Sequence, residues 1–336
     1  MREAGETLTP VAETRSAILR AALPALVVFA LLALGPAMAE AYGGGYLTSL
    51  LMRMMILAVA AISLDLLIGQ GGMISFGHAA FVGLGAYVAG IMVTEGAGDL
   101  TLILPAAILA SALFALLTGA VSLRTSGVYF IMITLAFGQM LFFTASSLSA
   151  YGGDDGMTLW DRVTLFGFDV FKSDLALYYV ILGVLIGAYA LSRSLAESRF
   201  GRVLRAAKEN PTRVEAVGFG VFQYRLTAYV IAGVMAGIAG VLLASQAEFV
   251  SPSTLAWQRS GELIIMVVLG GMGLRNGALL GAVAFVALEE TLSSLTHDWK
   301  LIFGPLLVLV VLYARTGLAG VVDRWIAQAG RGARDG

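Results

Sequence analysis

An all-α, polytopic transmembrane helical bundle is the fold class this sequence predicts, on three observations. Apolar residues fill 59% of its 336 positions, charged residues only 13%, and the apolar residues gather in runs long enough to cross a bilayer. Soluble domains carry about 45–50% apolar and about 25% charged residues, so this composition suits a membrane solvent. The mean hydropathy of +0.88 agrees. The absence of cysteine excludes a disulfide scaffold and a cysteine-ligated metal. With 21 basic and 22 acidic residues, no global basic field exists to hold nucleic acid.

A span needs about 20 apolar residues. The runs fall, in order, at Arg20 to Ala39, Leu47 to Ile68, Ile74 to Thr94, Leu100 to Leu123, Gly127 to Leu148, Leu175 to Leu191, Leu226 to Gln246, Gly261 to Gly273, Gly277 to Leu295 and Leu301 to Tyr313. The eighth and tenth are short, which suits tilted or re-entrant pieces and sets the range at eight to ten spans. The first run also imitates a cleavable signal peptide, with Arg15 and Arg20 before a short apolar stretch and Ala37-Met38-Ala39. An uncleaved first span is the expectation for a polytopic chain. The whole chain, 1–336, reads as one transmembrane domain with cytoplasmic tails at 1–19 and 314–336 and a cytoplasmic loop at 193–225.

Orientation follows from the basic residues, because cytoplasmic connections carry the excess of Lys and Arg. With the N-terminus inside and ten crossings, sixteen basic residues lie on inner segments and four, Arg162, Lys172, Arg259 and Lys300, on outer ones. Reversal would invert that bias. Helix contacts in lipid depend on close backbone approach, and small residues four apart recur at Gly183/Gly187, Gly233/Gly237, Ala236/Gly240 and Gly277/Gly281.

Ionisable groups deep in a bilayer are expensive. Arg53 lies about six residues, roughly 9 Å, from the outer end of its run, where its stem can snorkel. Asp65 is near the inner end of the same helix, about 18 Å away, too far to pair with it. Arg259 and Glu262 sit at an outer entrance, and Glu289 and Glu290 are the deepest carboxylates, still in the outer half. No titratable relay crosses the midplane, which disfavours an ion-coupled carrier and favours a conduit driven by another subunit. His78, near the inner interface, is either a structural hydrogen-bonding group or a ligand. With no partner histidine or cysteine beside it, metal binding is not expected.

Two glycine-rich breaks interrupt the runs. The first holds Gly69, Gln70, Gly71, Gly72, Ser75, Gly77 and His78; the second opens with Gly270 and Gly271 and continues through Gly273 to Gly277. Such backbone is tolerated at membrane depth only where it is buried in protein or lines a cavity. Both breaks lie between an inward and an outward run, so a parallel internal repeat, about 47 to 148 and 226 to 313, is expected, with a pathway between the halves. Coincidental glycine turns are the alternative. No Gly-Lys-Ser/Thr phosphate loop and no Gly-x-Ser-x-Gly elbow occurs, and the only histidines are His78 and His297, so the chain carries no catalytic constellation and no cofactor motif.

In the loop at 193–225, Phe200, Val203, Leu204 and Ala207 recur at helical spacing while Arg202, Arg205 and Glu209 take the opposite face, predicting a short amphipathic helix that Pro211 ends. It would lie on anionic membrane lipid or dock a soluble partner.

The segments Gly69-Gln-Gly-Gly-Met-Ile-Ser-Phe-Gly-His-Ala-Ala-Phe, Arg124-Thr-Ser-Gly-Val-Tyr-Phe-Ile-Met-Ile-Thr-Leu-Ala-Phe and Ser198-Arg-Phe-Gly-Arg-Val-Leu-Arg-Ala-Ala-Lys-Glu-Asn resemble the membrane subunits of branched-chain amino-acid ABC importers, of the LivM type. Leu269-Gly-Gly-Met-Gly, Leu288-Glu-Glu and Gly152-Gly-Asp-Asp-Gly are similar too, and the resemblance runs over about residues 47 to 320. It implies a permease subunit of the bacterial inner membrane, not itself an enzyme. A second permease, two cytoplasmic ATPases and a periplasmic binding protein would complete the importer. It implies ATPase coupling through Arg202, Arg205, Glu209, Ala216 and Gly218, although Asn210-Pro-Thr-Arg-Val-Glu-Ala-Val-Gly departs from the usual Glu-Ala-Ala signature. By position, Gly69 to His78 and Gly270-Gly271 would line or gate the pathway. A permease for urea, short amides or another small solute, a self-sufficient carrier or channel, and a non-transporting scaffold are the other readings. The charge bias makes a first prediction: a reporter fused to either terminus is active only when it requires the cytoplasm, and external protease leaves both fusions intact.

Overall fold

The computed structural model describes residues 23–42, 44–160, 163–164, 173–295, 298, 301–305 and 316–332. The predicted tail 1–19, most of the tenth run, His297, and residues 314–315 and 333–336 lie outside the described residues. The helices are α1 (Leu23–Ala33), α2 (Gly35–Tyr42), α3 (Gly45–Asp65), α4 (His78–Thr94), α5 (Leu100–Ser122), α6 (Val128–Ser147), α7 (Asp174–Glu197), α8 (Arg199–Glu209), α9 (Pro211–Ala216), α10 (Val221–Ala247), α11 (Trp257–Gly270), α12 (Gly277–Leu295) and α13 (Gly317–Gly332). Among the described residues, six helices are long and apolar enough to cross a membrane: α3 with its continuation to Gln70, α5, α6, α7, α10 and α12. Two short strands, β1 (Met157–Thr158) and β2 (Phe249–Val250), pair antiparallel.

The first run is kinked rather than straight. Pro36 has no N–H to give the carbonyl four residues back, and the Tyr178 hydroxyl on α7 donates to that Leu32 oxygen at 2.5 Å. The third run becomes helical only at His78. Before it, α3 widens into a π turn over Leu66–Gln70, and Gly72 takes a positive φ of 66°, which turns the chain out of the helix. α8 stands where the amphipathic pattern placed it, with Leu204 and Ala207 fully buried and Arg202 and Glu209 exposed. Ser198 caps it, accepting from the Gly201 N–H. Pro211 both ends α8 and opens α9, where Asn210 accepts from the Arg213 N–H.

The core is built around α3 and α10, the most enclosed of the long helices. They run antiparallel, since the end of α3 and the start of α10 both meet α8: Lys208 Nζ donates to the Gly69 carbonyl and Arg225 Nη2 to the Ala207 carbonyl. α4 and α5 pack on α10, α11 and α12 pack on α3, and each of these pairs packs together. The predicted parallel repeat is therefore corrected to an inverted one, because α3 and α10 stand in equivalent places but point in opposite directions. α5, α6 and α7 turn large apolar side chains outward, with Leu109 70%, Leu117 63% and Phe143 64% exposed. Such a surface suits lipid tails and would associate in water.

Glycines set the closest approaches. A methyl at Gly85 would strike the Gly237 carbonyl, one at Gly240 the Val82 carbonyl, and one at Gly281 the Met266 carbonyl. Three of the four predicted small-residue pairs thus lie at helix contacts; Gly183 and Gly187 face open space. We expect Gly281→Leu, which forces two backbones apart, to cost about 1–3 kcal/mol and to lower the melting temperature in detergent. Gly183→Leu should leave that temperature within a degree or two.

Candidate functional site

The two glycine breaks, about 200 positions apart in the chain, meet beneath the core. The π turn carries the α3 backbone past Asp65, whose carboxylate Oδ1 accepts the Gly273 N–H of the second break at 2.8 Å. Gly69 lies so close to Gly273 that any side chain at 69 would collide with its backbone. The second break turns on Gly271 and Gly273, both at positive φ (110° and 70°). α12 leaves it with Gly277 against the Gly271 carbonyl. Asn276 there accepts from the Tyr189 hydroxyl of α7 at 2.6 Å.

α8 grips the first break. Arg205 Nη1 donates to Gln70 Oε1 at 2.6 Å and to the Ala196 carbonyl at 2.8 Å, while Lys208 Nζ reaches the Gly69 carbonyl at 2.9 Å. The Lys208 stem lies over Gly72, and Leu204 faces Gly71. All five predicted coupling residues, Arg202, Arg205, Glu209, Ala216 and Gly218, are exposed, and Arg205 in addition bonds the break. Beside them Val217 is 72% exposed and Phe219 stands out as well, so the tip after α9 is an apolar projection ringed by charge. A polar cavity of about 310 Å³ opens between α7, α8 and the breaks, lined in part by Asp65, Gln70, Arg193, Arg205 and Arg275.

The far half of the first break locks α4 in place. Ser63 Oγ lies 2.7 Å from the Ala60 carbonyl and shares a hydrogen bond of 2.8 Å with His78 Nε2. The ring is wholly buried and stacks edge-on to Phe81. His78 therefore pins the start of α4 to α3. Gly77 fits against the Thr134 carbonyl on α6, the Phe76 N–H bonds Thr134 Oγ1, and Ser75 is fully buried. The Ala79 N–H bonds Ser260 Oγ on α11 at 2.9 Å, so α4 and α11 meet near their starts.

Arg53, whose stem the sequence expects to snorkel, holds both oxygens of Glu289 on α12 with its guanidinium, each at 3.1 Å. Tyr46 similarly bonds Glu290. Nothing in the sequence links positions so far apart, although the presence of one buried-side cation and two carboxylates in facing runs was a signal. Lys208 and Asp65 were likewise outside the predicted site, although the breaks depend on both.

A helical bundle with membrane-length apolar helices, two interlocked backbone breaks and a basic helix clamped to one of them is that of a polytopic membrane protein. The sequence profile described as "Branched-chain amino acid transport system / permease component" matches residues 46–312, and the chain belongs to that family. It is 27% identical to the "High-affinity branched-chain amino acid transport system permease protein LivM" of Salmonella typhimurium over 287 residues, covering 79% of this chain and 68% of the relative. It is 32% identical to the "Probable branched-chain amino acid transport permease protein LivH" of Methanocaldococcus jannaschii over 146 residues, 40% of this chain and 43% of the relative. It is also 29% identical to the "L-arabinose ABC transporter permease protein AraH" of Azospirillum brasilense, over 42% of this chain and 44% of the relative. No solved structure matches at a significant level. The family and the helices make this a multi-pass transport subunit.

Removing the Asp65 acceptor leaves a buried amide without a partner. We expect Asp65→Ala to cost about 1–3 kcal/mol, read as a lower melting temperature in detergent, and Asp65→Asn, which keeps an acceptor oxygen, to recover more than half of the loss.

Proposed function

We propose that the chain is the membrane-spanning permease subunit of an ATP-driven importer for branched-chain or similar hydrophobic amino acids, in the bacterial inner membrane with both termini cytoplasmic. A second, related permease pairs with it, two cytoplasmic ATPases drive it, and a periplasmic binding protein delivers the solute. The pairing draws support from the likeness to relatives named LivM and to others named LivH. Residues 1–336 act as one domain, with tails at 1–19 and 314–336 and a coupling segment at 193–225.

The observation that carries this reading is the grip of α8 on the first break through Arg205 and Lys208. An ATPase docked on the exposed tip, Arg202, Glu209, Ala216, Val217 and Gly218, would move α8, and α8 would pull on Gly69 and Gln70. Because Gly69 is packed against Gly273 and Asp65 holds the Gly273 amide, both breaks would shift together. The inverted arrangement of α3 and α10 supports alternating access, since the two halves can rock about their common contact. The partial likeness to an arabinose permease keeps a different small solute as the second reading.

The test is purification of the tagged chain in mild detergent with mass spectrometry and ATPase assay. Expected are a second permease and two Walker-motif ATPases, with hydrolysis stimulated by binding protein loaded with leucine, isoleucine or valine. The double variant Arg205→Met, Lys208→Met should keep that assembly while uptake falls at least tenfold. A lone chain that transports in liposomes on an ion gradient would overturn the subunit reading.

A further inference from the structure

At the end of the core away from α8, a cavity of about 230 Å³ opens between α3, α4, α10 and α11. Its volume lies below the roughly 300–1,000 Å³ of drug-sized pockets, so it suits one small solute. The walls are apolar: Leu57 and Ala60 from α3, Val82 from α4, Leu243 from α10, and Leu263 and Met266 from α11. Three charged side chains, Arg53, Arg259 and Glu262, and three hydroxyl residues, Ser251, Ser253 and Thr254, line its polar side. Ala79, whose N–H is held by Ser260, also lines it, so the junction of α4 and α11 borders the cavity, with the His78 to Ser63 bond just beyond it.

The charges are arranged as an exchangeable pair. Arg259 Nη1 donates to Glu262 Oε2 at 2.8 Å, one helical turn apart, with the two side chains 48% and 38% exposed. An ion pair this open contributes little stability, so opening it costs little. Arg53 is different: Glu289 holds it with two bonds, which fixes its stem at the edge of the cavity.

We infer that this cavity seats a single zwitterionic amino acid with an uncharged aliphatic side chain, its carboxylate on Arg259, its ammonium on Glu262 and its methyl groups among Leu57, Val82 and Leu263. The inference rests on the amino-acid importer reading above and names where in this chain the solute is held. The chemistry selects its occupant in three ways. A guanidinium fork matches a carboxylate with two parallel bonds, and the Arg259 to Glu262 pair exchanges one internal ion pair for two with the solute. An aliphatic side chain of modest size gains from the apolar walls. A charged side chain would leave an ionic group unpaired against those walls.

Leu57, only partly buried, faces the cavity and allows the seat to be reshaped in either direction. The experiment reconstitutes the full transporter in liposomes with its binding protein and measures uptake of radiolabelled L-leucine and L-alanine. Because the same binding protein serves every variant, its own preference cancels when variant and wild-type uptake ratios are compared. Leu57→Phe is expected to lower the leucine-to-alanine ratio at least fivefold, and Leu57→Ala to raise it. Glu262→Gln combined with Arg259→Gln is expected to reduce uptake of both amino acids at least tenfold while loaded binding protein still stimulates ATP hydrolysis, which separates loss of the seat from loss of docking. If wild-type transporter imports both amino acids and the ratio is the same in all the Leu57 variants, the seat is overturned and the importer reading stands. If wild-type transporter imports neither, the amino-acid reading itself falls, and the seat with it.

Discussion

Backbone amides and carbonyls that leave a helix at membrane depth have no water to bond, and each one left unsatisfied costs several kcal/mol. This chain leaves its helices twice inside the protein, and the surrounding structure is arranged to satisfy what those breaks expose. Inside the first, the Met73 N–H returns to the Leu67 carbonyl and the Gly72 N–H to the Ile68 carbonyl. The Gly69 carbonyl goes to Lys208, the Phe76 N–H to Thr134, and the Ala79 N–H to Ser260. Inside the second, the Gly273 N–H goes to Asp65. The same accounting explains the kink in the first run, where Tyr178 takes the carbonyl that Pro36 strands.

Satisfying the breaks with side chains from distant helices ties those helices together. α8 is drawn onto α3, α11 onto the start of α4, and the two breaks onto each other. Burial of apolar surface adds little to helix association in lipid, where tails are as apolar as leucine. The remaining cohesion comes from close packing, which the glycines at 85, 237, 240, 277 and 281 permit by removing the side chain at each contact. An assembly held by a few polar bonds and close backbone contacts can exist in two discrete arrangements, as a transporter requires, because those contacts exchange as units rather than deforming gradually.

The ends of the α3 and α10 pair differ in chemistry. One carries the basic helix, the breaks and a polar cavity; the other carries the Arg53 to Glu289 pair and an apolar cavity edged by Arg259 and Glu262. Ala79, at the start of α4, lines the apolar cavity, and its N–H bonds Ser260.

Much of the fold was legible in the sequence. Hydropathy marks the spans because lipid tolerates only long apolar helices. The spacing of Phe200, Val203, Leu204 and Ala207 marks α8 because a surface helix buries one face. The glycine clusters mark the breaks because glycine turns the chain at positive φ without steric cost. These are local properties, each carried by neighbours within a turn or two of helix. Only the tertiary structure decided that Asp65 meets Gly273 across 208 positions, that Arg53 meets Glu289, and that the repeat is inverted. Hydropathy is the same whichever way a helix points, and a single sequence holds no record of which distant charge answers which. Direction and pairing are set by packing, and packing exists only once the helices have come together.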